Sequence, residues 1–160
     1  MNVRSLDYIG ILGYSDRTSK KKQTSIEELT SHIVMHGMGI CAGSVLGPVY
    51  FALRQAKLLS GNTRVISENK ISHSDRHLCD ILEMVNGLEE KHNLISKVCV
   101  AGIVVTKGIE TEHLVNCFEK RKKQVHYLSD LNIKEMSNID ILLSTRYLNE
   151  VSDRKVQMAD

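Results

Sequence analysis

The sequence predicts an α/β fold, a three-layer αβα arrangement around a mainly parallel sheet of about five strands. Three observations carry that prediction. Lys97-Val98-Cys99-Val100-Ala101-Gly102-Ile103-Val104-Val105 is a near-continuous apolar run, the pattern of a strand covered on both faces. Ile33-Val34-Met35 leads into a glycine-rich turn over residues 37–44 and then into a helix-forming stretch over residues 45–58. Short apolar runs and amphipathic stretches alternate through most of the remainder, as right-handed crossovers between parallel strands require.

Taken in order, residues 1–24 hold Gly10, Gly13, a polar stretch and the Lys20-Lys21-Lys22 run, with little periodicity beyond residues 8–12, and read as a flexible or peripheral arm. Thr24 or Ser25 would cap a short helix over residues 26–29, Ser25 having Glu28 three residues later at capping-box spacing, and a strand is expected from near His32. After the glycine turn and the first long helix, Gly61-Asn62 marks a turn, and residues 63–67 read as a second strand ending at Glu68 and Asn69. Ser74 or Asp75 would cap a second helix, along which Leu78, Ile81, Leu82, Val85 and Leu88 recur at spacings of three and four. Thr106-Lys107-Gly108 ends the central strand. Residues 110–124 follow as a third helix, with Glu110 and Glu112 in its first turn and Lys120, Arg121, Lys122 and Lys123 in its last, charges that complement the helix dipole. Residues 125–128 and 139–144 complete the sheet as two short strands. One domain over residues 25–150 and a frayed tail over residues 151–160 are the expected organisation.

Length and composition narrow the functional classes. At 160 residues the chain suits one compact domain with a real core. Its 42% hydrophobic and 25% charged shares exclude disorder along the whole chain. Lys and Arg number 21 against 19 Asp and Glu, and a formal charge of +2 names neither nucleic acid nor an anionic membrane as partner. With two Phe, five Tyr and no Trp, stacking platforms for single-stranded nucleic acid are not predicted. Residues 29–53 carry no formal charge, but His32, His36, Ser44, Pro48 and four glycines interrupt them, so no membrane span is expected. Cys41, Cys79, Cys99 and Cys117 form no CxxC pair and read as reduced thiols, which predicts a cytoplasmic protein.

Open parallel sheets bind ligands outside the carboxyl ends of their strands, where loops and helix N-termini offer free N–H groups to anions. Two loops fit. In the first, Gly37 and Gly39 allow close backbone approach, Ser44 offers a hydroxyl to a phosphate oxygen, and Cys41 would sit near a helix N-terminus that favours its thiolate. In the second, Thr106, Lys107, Gly108 and Thr111 follow the central strand. A small phosphorylated ligand held between them, with no cofactor and no metal, is the leading expectation.

A competing reading takes Gly37, Gly39 and Ala42 as G-x-G-x-x-A, with Glu68 lying 26 residues beyond as the carboxylate for a ribose hydroxyl. That is the layout of a dinucleotide fingerprint, and it predicts a nicotinamide-dependent enzyme. A third reading is a structural or protein-interaction subunit, whose glycines only let a helix lie close to its strand. His73-x3-His77 with Cys79 has the spacing of a ligand pair but not the three or four convergent ligands of a metal site.

The order of elements resembles the sugar isomerase (SIS) domain family. Residues 33–58 are similar to its first strand, glycine loop and helix, residues 98–115 to its second phosphate-binding strand and loop, and residues 125–144 to its closing strands. The family's serine-rich loop is represented here by Val105-Thr106-Lys107-Gly108-Ile109-Glu110-Thr111, which shares the glycine and the threonines. The resemblance implies a Rossmann-type fold, a sugar-phosphate ligand, a sensor or regulatory role and a homodimer. A second similarity, through His36-Gly37 and Ser67-Glu68, is to the methylthioribose-phosphate isomerase superfamily.

Overall fold

The computed structural model describes residues 6–14 and 17–130. Six strands, β1 (Tyr8–Leu12), β2 (Gly39–Ala42), β3 (Thr63–Ser67), β4 (Ile81–Met84), β5 (Cys99–Val104) and β6 (Val125–Tyr127), form one sheet in the order β4-β3-β2-β1-β5-β6. Every neighbouring pair is parallel. The helices are α1 (Lys20–Met35), α2 (Pro48–Leu58), α3 (Leu88–Val98) and α4 (Ile109–Lys120), and a 3-10 helix over His73–Leu78 lies between β3 and β4. The chain steps outward from β1 to β4, and α3 then carries it back to β5 on the other side of β1. The strand order therefore reverses between β1 and β5, the place where such sheets open a crevice.

Alternation along the strands divides the core into two. Ile9 and Ile11 of β1 join Ile40, Val65 and Ile103 with the buried stripes of α1 and α2. Tyr8 and Leu12 face the other way, joining Cys41, Ile66, Cys99 and Val104 with Ile95 of α3 and Leu114, Val115 and Phe118 of α4. The predicted three-layer α/β fold is thus present, with six strands.

Several elements lie elsewhere than the sequence suggests. Residues 8–12 are no peripheral arm: all five are buried, and β1 lies inside the sheet between β2 and β5. Ser19, not Ser25, caps α1, its Oγ accepting from the Lys22 N–H at 3.1 Å. The helix runs on through Ile33-Val34-Met35, where a strand is expected, because Ile26, Leu29, Thr30 and Ile33 form one buried stripe at helical spacing. The strand of this unit is β2, and the loop leading to α2 is residues 43–47. Pro48 opens α2, so residues 45–47 lie outside the helix.

The second predicted helix is replaced by the 3-10 helix, β4 and the start of α3. Thr63 decides this: its Oγ1 donates to Leu78 O at 2.6 Å and accepts from Asp80 N at 3.0 Å, laying residues 78–84 along β3. The central strand and β6 stand where predicted, and α4 stops at Lys120, short of residue 124. The expected strand over residues 139–144 and the tail over 151–160 fall outside the described residues. Among the described residues no helix is long and apolar enough to cross a membrane.

Candidate ligand-binding cleft

The carboxyl ends of β1, β2 and β3 open into a cleft of about 630 Å³. Its floor is made by the strand exits Leu12-Gly13-Tyr14, Gly43-Ser44-Val45-Leu46 and Ser67-Glu68-Asn69. Its far wall comes from Leu88, Lys91, His92 and Ile95 of α3 and from Glu110, Thr111 and Leu114 of α4. Apolar and polar groups share this lining, the mixture of a site that both desolvates and orients a small molecule.

Lys91 is the central side chain. It lies in the first turns of α3, where a lysine would ordinarily reach solvent, yet its side chain is only 7% exposed. Gly43 makes this possible: a Cβ there would come within 3.3 Å of Ile95 Cδ1 and 3.5 Å of the Lys91 stem. The Lys91 Nζ sits 2.7 Å from Glu68 Oε2 and 3.4 Å from Glu110 Oε1, and it donates to Gly43 O at 3.4 Å. Burial pushes the Glu68 carboxyl up, but the Lys91 hydrogen bond, its own backbone N–H and the Lys91 charge together hold it below the ordinary carboxylate value.

His92 is 2% exposed, and its Nδ1 is 2.7 Å from Nδ1 of His113 on α4, a hydrogen bond in which one ring donates to the other. Burial, the Lys91 charge and His113 lower the His92 pKa against the opposing pull of Glu110 and Glu68. The imidazole is therefore neutral at neutral pH. Its Nε2 lies 3.9 Å from Glu110 Oε1, too far for a direct hydrogen bond.

The opposite wall is different. Helix α2 begins at Gly47-Pro48 with no side-chain cap and no acidic residue in its first turn, whereas α3 and α4 each carry two acids there. Val45, Leu46 and Val49 bring this helix end to the cleft, so its positive dipole end faces the cavity uncompensated by side chains. The Ser44 Oγ closes the loop by accepting from Leu46 N at 3.3 Å.

Of the residues singled out from sequence, Ser44, Glu68 and Thr111 line this cleft. Gly37 and Gly39 lie at the opposite end of the sheet, Gly37 in the turn that ends α1 and Gly39 opening β2. Gly39 is glycine because the Tyr8 ring would stand 2.8 Å from its Cβ. Cys41 is fully buried within β2, away from any helix N-terminus, and packs with the α3 and α4 side of the core. The G-x-G-x-x-A pattern therefore straddles a turn and a strand instead of a strand-to-helix loop, and the geometry that the dinucleotide reading needs is absent there.

Thr106 has its Oγ1 buried with no hydrogen-bond partner among the described residues. Lys107 and Gly108 border a separate cleft of about 550 Å³ between α4 and β6, where the Lys107 Nζ lies 5.7 Å from the centre of the Tyr127 ring. Thr111 borders both clefts. Of the candidate ligand residues in the two predicted loops, one from each thus lines the main cleft, Ser44 and Thr111. His77 turns its Nδ1 to Ser74 O at 2.8 Å, and among the described residues no group of three or more His, Cys, Asp or Glu could hold a metal ion.

Lys91 and His92 escape the sequence reading because nothing in a lysine-histidine pair on an amphipathic helix separates a buried cluster from a solvated face. Gly43 gives no sign of it either, since it stands beside Ser44 in a stretch that already reads as a glycine-rich turn.

No protein-family model matches the chain, and no curated protein matches it. Solved structures do. A molybdenum cofactor binding protein from the phototrophic bacterium Rippkaea orientalis is 21% identical over 78% of this chain and 77% of that one, with a TM-score of 0.69. The Moco carrier protein of Chlamydomonas rheinhardtii is 25% identical over 77% and 76%, with a TM-score of 0.64. DNA processing protein A from Streptococcus pneumoniae is 15% identical over 87% of this chain and 56% of that one, with a TM-score of 0.62. What this chain shares with all three is the architecture, a Rossmann-like α/β domain built on a parallel sheet.

Proposed function

We propose that the protein binds a small phosphorylated organic ligand in the main cleft, with the phosphate at the Ser44 loop and the start of α2 and the rest of the molecule against Lys91 and its carboxylates. The carrying observation is the buried, ion-paired Lys91 set in a cavity of about 630 Å³ beside the reversal of strand order. Ligand pockets commonly occupy about 300–1,000 Å³ at such points. Two of the similar structures are described as a molybdenum cofactor binding protein and a Moco carrier protein, which supports a small-ligand site on this architecture. Binding without turnover, as in a carrier or sensor, suits a lysine already engaged by two carboxylates and a carbonyl.

Thermal-shift and calorimetric titration against the molybdenum cofactor, ribose 5-phosphate and NADH tests this. A ligand at 100 times its Kd adds about 2.7 kcal/mol of stability. Stabilisation by one of the first two, lost in Ser44→Ala and Lys91→Met, is the expected result. Stabilisation by NADH alone would return the dinucleotide reading. No response to any of them would favour the protein-interaction subunit.

A further inference from the structure

On the wall of the main cleft a buried imidazole is joined to an exposed one. Helices α3 and α4 start level, so His92 and His113, each the fifth residue of its helix, lie side by side with ring centres 5.0 Å apart. His92 is 2% exposed and lines the cleft, whereas His113 is exposed and stands outside that lining. Their Nδ1 atoms are 2.7 Å apart and share one hydrogen. A neutral imidazole carries a single hydrogen, so the ring that lends its Nδ1–H has a bare Nε2 and the other ring carries Nε2–H. Of the two outer nitrogens, one at the cleft wall and one on the exposed ring, a single one therefore holds a hydrogen at a time. Loss of a hydrogen at one end, movement of the shared one and gain at the other end interchange the two arrangements. Neither ring turns and neither is left charged.

The charges around His92 set the direction. Lys91 adjoins it on α3, Glu110 and His113 face it from α4, and Glu68 faces it from the exit of β3. Two carboxylates against one ammonium give this wall a net negative charge, which attracts a ligand atom that gains a proton and repels one that loses it. Burial and the Lys91 ammonium keep His92 itself from storing the proton as an imidazolium. We propose that His92 and His113 are a proton relay through which solvent protonates a neutral nitrogen base carried by the ligand. In that step the Nε2–H of His92 passes to the lone pair of the ligand nitrogen, the shared hydrogen moves from Nδ1 of His113 to Nδ1 of His92, and Nε2 of His113 takes a proton from hydronium or a buffer acid in solvent. The ligand nitrogen becomes a cation beside the acidic wall, and both rings stay neutral. When the ligand leaves, water entering the cleft returns a hydrogen to Nε2 of His92, and His113 gives its own back to solvent. This rests on the ligand-binding reading of the same cleft and adds the acid that acts there.

Two measurements on the full chain test this. The first needs no ligand and follows exchange of the His92 ring hydrogen with water in nitrogen-15 histidine spectra. His113→Gln keeps a hydrogen-bond partner for His92 but cannot hand on a proton, so exchange should slow by at least about tenfold, whereas a role in packing alone would leave the rate as it was. An unchanged rate overturns the relay. The second is calorimetric titration at about pH 8, where a free imidazole is neutral, with imidazolylpropyl phosphate and with phenylpropyl phosphate, which has a similar shape and no base. The imidazole compound is expected to bind about tenfold more tightly and to take up about one proton, read from the dependence of its binding heat on the buffer. Equal affinity, absence of binding by either compound, or tighter binding without proton uptake overturns the nitrogen base as the ligand group. Inorganic phosphate that binds in that case preserves the phosphate-site reading, and its failure to bind overturns that reading as well.

Discussion

At the amino end of β3, Asp80 accepts from the Thr63 backbone N–H at 2.9 Å and pairs with Lys57, while Thr63 Oγ1 bonds back to the chain at Leu78 and Asp80. At the carboxyl end, Glu68 pairs with Lys91 at 2.7 Å and takes Asn69 Nδ2 at 3.1 Å. The two ends share a lysine–carboxylate pair, and in both burial is outweighed so that the carboxyl is held below its ordinary value. What differs is the use made of the remaining lone pairs. Asp80 spends them on backbone, fixing β4 beside β3, whereas Glu68 faces a cavity with acceptor capacity in hand. A charged pair closed off by main chain is a staple, and one left open at a strand exit is a place for a ligand.

This contrast can be broken by substitution, beginning with the greatest change. Lys91→Met removes the cation between Glu68 and Glu110 and is expected to weaken the ligand found by titration about 100-fold, roughly 2.7 kcal/mol. Adding Glu68→Gln should restore part of the stability in urea unfolding without restoring affinity, because the more buried of the two carboxylates left without the cation is gone but the wall is still altered. Asp80→Ala should do the reverse. It leaves the Thr63 N–H without its acceptor, and the urea midpoint should fall by the equivalent of about 1–3 kcal/mol while ligand affinity stays within about twofold.

The pH dependence separates the two ends further. His92 has its pKa lowered by burial, Lys91 and His113, so the unfolded chain binds the proton first. Its contribution to stability is whole above about pH 6.5 and is lost as the pH falls toward the lower folded value. His92→Asn should flatten that part of a stability–pH curve. His126, lowered by its own burial, supplies a residual slope of the same sign in both proteins. Asp80 and Glu68 act later: their depressed carboxyls contribute stability that is present above about pH 4 and lost below it. The smallest effect is expected at Leu46, 60% exposed at the cleft mouth, where Leu46→Ser should change stability by no more than about 0.5 kcal/mol.

Much of the scaffold is legible from sequence for local reasons. The apolar run around β5 contains no alternation because both faces are covered, and that pattern needs no tertiary knowledge. The stretch Ile81-Leu82-Glu83-Met84 is different. Its apolar neighbours Leu78, Val85 and Leu88 satisfy a helical period, and only partners far away in sequence, Thr63 and Arg64 of β3 and Lys57, draw it into the sheet. Likewise β1 is short and set among polar residues, so nothing local marks it as lying at the heart of the sheet. Gly37 and Gly39 follow a helix and not a strand, which puts them at the amino end of the sheet, whereas Ser44, Glu68 and Thr111 line the cleft because they follow strand ends or lie in the first turn of a helix.

The sequence by itself determined an alternating α/β chain, its parallel sheet and the strand exits where a ligand site would have to lie, because apolar periodicity and helix-end chemistry act over a few residues. Tertiary structure alone decided which charges are buried there. Lys91 becomes a buried cation only when α3 crosses Gly43, and His92 and Glu110 come to face one another only when α3 and α4 lie side by side. Proximity between residues of separate elements sets their desolvation and pairing, and no local spacing encodes it.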